Sequence, residues 1–112
     1  MSLSLTISAA STNATSLKAS PGTIEYIEVF NLNAANRYLK LFDKASAPTV
    51  GSDTPVKVIP IPGSSTAAGV ILQYPEGLNF VTGIAFCLTT GVANSDTAAV
   101  GANDVVLNIK YF

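Results

Sequence analysis

No stretch of this chain repeats apolar residues at i, i+3, i+4 and i+7 over three helical turns. The recurring period is two. In the closing run VVLNIKYF, Val105, Leu107, Ile109 and Tyr111 share one side, while Val106, Asn108, Lys110 and Phe112 share the other. Val, Ile, Thr, Tyr and Phe dominate the apolar runs and suit a pleated surface. Gly and Pro interrupt them at short intervals. Seven or eight strands are predicted, at 3–8, 15–19, 23–32, 37–43, 55–61, 68–73, 82–90 and 105–112, with a short piece at 78–81. Strands 23–32 and 37–43 read as a hairpin turning through Ala34, Ala35 and Asn36. Tyr74–Gly77 reads as a turn, and 91–104 as a long loop of small residues with room for one helical turn. Pro55 and Pro60 cannot donate to a ladder, so 55–61 is an edge or interrupted strand.

Many short strands with Gly/Pro turns predict an all-β fold: a single compact antiparallel β-sandwich or barrel, jelly-roll-like, with an Sm-like small barrel as the alternative. The 112 residues suit one domain. Within it, residues 1–22 read as an N-terminal strand or arm and 23–112 as the sandwich or barrel.

The charged residues bear on function mainly through strand 37–43. Arg37, Leu39, Leu41 and Asp43 lie on one side, and Tyr38, Lys40 and Phe42 on the other. An aromatic-flanked lysine is expected to be exposed or to face a partner. Pairing of Glu25 or Glu28 with Lys40 or Arg37 across the hairpin is worth about 0.2–1 kcal/mol. Strand 23–32 is also apolar on both sides, which implies either two covering layers or contact with another subunit. Tyr26, Tyr38, Lys40, Phe42 and Tyr74 are therefore the candidate interface or ligand contacts. The tyrosines also suit a carbohydrate- or receptor-binding module.

Catalytic patterns are missing. The chain has no His, which removes the Ser-His-Asp and Cys-His arrangements and Cys/His zinc sites. Cys87, the single cysteine, reads as a small core residue. Glu25 and Glu28 point to opposite faces of a strand, so they make no glycosidase pair. The oxygens of Asn94, Ser95, Asp96, Thr97, Asn103 and Asp104 do not follow calcium-loop spacing. PGSSTAAG lacks the Lys and following helix of a phosphate loop. No catalytic residue, cofactor or metal is expected, and no enzyme. Six dispersed basic residues and a net charge of −1 disfavour nucleic acid, leaving an Sm-like RNA-binding oligomer as a lesser alternative. No apolar run is long enough to span a membrane, and MSLSLTISAAS lacks a signal-peptide pattern, so synthesis in the cytoplasm is expected. Only 12% of residues are charged, against about 25% in a typical domain. Low charge weakens the guard against self-association.

The stretch IEVFNLNAANRYLKLFDKASAPTVGSDTPVKVIPIP, with GIAFCLTTG and VVLNIKYF, resembles small virion structural proteins of tailed bacteriophages and marine viral metagenomes. The likeness spans most of 23–112. It implies a non-enzymatic particle protein, a head decoration or cement protein or a tail-associated component, located in the virion. Its implied partners are copies of itself, as a trimer or larger ring, and a major capsid or tail protein. The resemblance carries no functional residue. Residues 1–22 lie outside it and would form an arm reaching a neighbour.

Overall fold

A computed structural model describes residues 1–112. It contains eight strands and no helix: β1 (Ser2–Ile7), β2 (Thr15–Lys18), β3 (Gly22–Asn31), β4 (Arg37–Asp43), β5 (Lys57–Ile61), β6 (Ala68–Phe80), β7 (Ile84–Thr89) and β8 (Val105–Tyr111). One four-stranded sheet has the order β1-β8-β3-β6 and the other β2-β7-β4-β5. Every pairing is antiparallel. All connections except β4–β5 pass from one sheet to the other. Eight strands wound this way make a two-sheet jelly-roll sandwich, not an Sm-like barrel. Residues 1–22 supply β1 and β2, which form one edge of each sheet.

The sandwich interior is filled from both sheets: Ile24, Ile27 and Val29 of β3, Leu39 and Leu41 of β4, Ile84, Phe86 and Leu88 of β7, and Val105, Leu107 and Ile109 of β8. At about 25 cal/mol per Å² of apolar surface, this burial is the main stabilising term.

The expected hairpin of 23–32 with 37–43 does not form. β3 lies between β8 and β6, whereas β4 lies between β7 and β5 in the opposite sheet. Asparagines turn the corner between them. The buried Asn31 side chain donates to Ala35 O (2.8 Å) and Ile61 O, and its Oδ1 accepts from Asn33 N–H (2.9 Å). Asn33 Oδ1 in turn accepts from Ala35 N–H. These side chains replace ladder partners and redirect the chain. The expected Glu–Lys40/Arg37 pairs fall with the hairpin: Glu25 sits 3.7 Å from Lys110, and Arg37 binds Asp104.

A bulge explains why β3 is apolar on both sides. Ile24 pairs with Tyr111 and Tyr26 with Lys110, so Glu25 is an extra residue with no partner on β8. The alternation flips phase there. Ile24 points inward, and so do Ile27 and Val29 beyond the bulge. Across from it, Glu25 alone faces Tyr74–Gly77 of β6. The expected turn at 74–77 is therefore a wide bulge inside one long strand, with Gly77 at φ +80°.

The outer side of β4 and β7 is also covered, but by loops. Phe42, Ala85 and Cys87 pack together beneath Val50. Lys40, 1% exposed, donates from Nζ to Ala93 O at 2.6 Å. The loops 44–56 and 90–104 thus serve as a thin third layer.

Candidate interaction surface

The outer face of the β1-β8-β3-β6 sheet carries no such cover. Register places its side chains in three rows. Ile7, Val106, Phe30 and Gly69 form one row. Leu5, Asn108, Glu28 and Ile71 form the next. Leu3, Lys110, Tyr26 and Gln73 form the third. Leu3, Leu5 and Ile7 are 74%, 64% and 55% exposed, and Ile71 is 57% exposed.

β1 is therefore inside out. Its apolar residues face away from the core, and Ser4 and Thr6 face inward. A slip of one residue would reverse this. Ser8 holds the register. Its N–H donates to Val105 O (2.9 Å), its Oγ donates to Gly101 O (2.8 Å) and accepts from Val105 N–H (3.0 Å), and its carbonyl accepts from Asn103 N–H (2.7 Å). Ser8 is 3% exposed, so breaking this set would strand buried polar groups.

At the bulged end of the same sheet, Glu25, Tyr26, Gln73, Tyr74, Pro75 and Lys110 line a cleft of about 320 Å³. Tyr26 donates to Glu28 Oε2 at 2.8 Å, and this hydrogen bond to a carboxylate raises the phenol pKa above its ordinary value. The Tyr74 hydroxyl is buried without a hydrogen-bond partner, and burial raises its pKa. Lys57 Nζ lies 5.8 Å from the centre of the Tyr74 ring. The cleft is open, and Glu25, Gln73 and Lys110 set polar groups among its apolar surface. It offers hydrogen bonds and stacking.

Of the sequence-derived candidates, Tyr26 and Tyr74 meet at this cleft. Tyr38 lies on β4 in the opposite sheet, between Pro60 and Thr89. Lys40 and Phe42 are buried beneath the loops rather than exposed. The physical reason is the covering loops, whose small residues come close enough to enclose both side chains. Glu25, Gln73, Pro75 and Lys110 were not among the contact residues expected from the sequence. Only the pairing of β3 with β6 and β8 brings them together, and alternation within one strand does not reveal that pairing.

Comparison with protein-family models, with curated proteins and with solved structures finds no match to this chain.

Proposed function

We propose that this chain is a non-enzymatic structural protein of a bacteriophage particle, working by self-association and by attachment to a capsid or tail surface. The observation that carries the reading is the outward stripe of Leu3, Leu5 and Ile7 on an uncovered sheet edge. A lone exposed leucine is ordinary, but an aligned apolar stripe on an edge strand marks a contact surface. The jelly-roll order supports it by analogy, since viral capsid domains share that architecture. The sequence resemblance points the same way. Mass spectrometry of purified particles from a virus that encodes the chain tests the assignment: the chain co-purifies at fixed stoichiometry. Its absence from the particles rejects the particle role.

The cleft beside Tyr26 and Tyr74 favours a second reading, a carbohydrate-binding module. Its polar side chains beside Tyr26 and Tyr74 suit a sugar, which presents both hydroxyls and an apolar ring face. A glycan array would show binding that Tyr26→Ala abolishes. An array with no hits removes this reading.

A further inference from the structure

Each sheet has two edges, and three of the four carry a guard against strand addition. β5 has Lys57 and Pro60. β6 has the bulge at 74–77 with Pro75. β2 is four residues long, breaks register between Ser16 and Lys18, and has a lysine at its end. Proline, lysine, bulges and short length are the standard means of blocking edge pairing. β1 has none of them. It reads SLSLTI, without charge or proline, and its register against β8 runs unbroken from Ser2 to Ile7.

The direction of the free backbone groups follows from Ser8. Its N–H bonds to Val105, so by alternation the N–H and C=O groups of Ser2, Ser4 and Thr6 turn towards β8. Those of Leu3, Leu5 and Ile7 turn to the open edge. The three residues with exposed apolar side chains are therefore the three with free backbone donors and acceptors.

The geometry points to one occupant for this edge: β1 of a second copy, antiparallel about a two-fold axis at Leu5. The inference rests on the self-association reading above and specifies its contact. In this register Leu5 faces Leu5 of the partner subunit, and Leu3 faces the partner's Ile7. Each facing pair closes two backbone hydrogen bonds, about six in all. The apolar side chains of both copies then line up on one outer face of a continuous eight-stranded sheet. The match is self-complementary, as a two-fold contact requires. No charge lies within β1 to oppose it. A two-fold pair differs from the trimer or larger ring expected from the sequence. Edge pairing buries less than the roughly 1,200 Å² typical of a stable interface, so the dimer is concentration-dependent in solution.

The test combines sedimentation equilibrium with cross-linking. Wild-type chain is expected to dimerise as its concentration rises through the micromolar range. Leu5→Lys sets two ammonium groups face to face and weakens the dimer at least about tenfold. Leu5→Pro removes an N–H that the β1–β8 ladder does not use, and it has the same effect. Circular dichroism checks that both variants keep the wild-type fold. Leu5→Cys forms a disulfide-linked dimer on mild oxidation, because facing hydrogen-bonded residues stand about 5.5 Å apart at Cα. Val81→Cys, which is exposed away from this edge, does not. Buried Cys87 does not compete. If wild type dimerises but Leu5→Lys and Leu5→Pro dimerise equally and Leu5→Cys fails to cross-link, the β1 contact is overturned and self-association stands. If wild type stays monomeric to about 500 µM, the self-association reading itself fails.

Discussion

Arg37, the first residue of β4, reaches Asp104, the last residue before β8, and places both Nε (3.2 Å) and Nη2 (3.1 Å) on one carboxylate oxygen. Asp104 also accepts from Gly101 N–H at 2.8 Å and from Asn33 Nδ2. One carboxylate thus joins the corner after β3, the start of β4 and the loop entering β8, and so ties the two sheets together at one end. Both partners are mostly buried, so the pair is poorly screened. Arg37→Met and Asp104→Asn, with their double variant, are expected to give a coupling of about 1–3 kcal/mol in urea denaturation. A coupling near zero would show that the pair is incidental.

Acid should destabilise the fold through three carboxylates. Burial pushes Asp104 up, but Gly101 N–H, Arg37 and Asn33 outweigh it and hold the group below the ordinary range. Burial likewise raises Asp43, and the N–H groups of Thr82, Val81 and Gly83 bring it below normal. Lys44, then Thr49 N–H, lowers Asp53. Each native pKa lies under the unfolded value of about 3.9. Their contribution is therefore complete above that value and is lost as pH falls through the folded values. Urea midpoints should be level from about pH 7 to 5 and drop steeply below about pH 4. A midpoint unchanged at about pH 2.5 contradicts this.

Lys40 presents a buried ammonium with one carbonyl acceptor and no carboxylate partner. Burying such a charge costs several kcal/mol. Removing it leaves Ala93 O without its donor, a loss of about 1–3 kcal/mol. Lys40→Met keeps the aliphatic stem and should be at least as stable as wild type. Lys40→Ala loses the stem as well and should be less stable than Lys40→Met by about 2–4 kcal/mol. Equal stability of the two would mean that the stem packs against nothing.

The Cys87 thiol is fully buried, and burial pushes its pKa up to about 11, with Lys40 opposing. Thiolate is the reactive form. Native protein should therefore resist a disulfide reagent at pH 8, while protein in urea reacts at once. Rapid labelling of the native chain would place the thiol at the surface.

Gly77 holds the β6 bulge at φ +80°, and a Cβ there would run into Thr23 Cγ2. Gly77→Ala should cost about 1–3 kcal/mol from strain alone. The same substitution at Gly101, which lacks positive φ, should cost less. Chemical denaturation of the two variants compares them directly.

Strand positions were largely legible because short runs of β-branched and aromatic residues between Gly/Pro breaks are a local property. VVLNIKYF places Val105, Leu107 and Ile109 inside without reference to any other strand. The edge position of β5 was legible too, since Pro60 lacks a donor wherever it sits. Partnership was not legible. β3 and β4 are adjacent in sequence and both apolar, yet asparagine side chains send them to opposite sheets.

The candidate surface divides along the same line. Composition alone set the lack of histidine and the low charge, and so the absence of a His-based catalytic centre and the weak guard against self-contact. Which residues face outward was decided by tertiary structure. Lys40 lies under a loop more than fifty positions away in the chain, and Leu5 faces solvent because Ser8 locks β1 against β8 in one register. In β1 alternation tells the two sides apart but does not say which is inside. Only the long-range hydrogen bonds that set register choose between them.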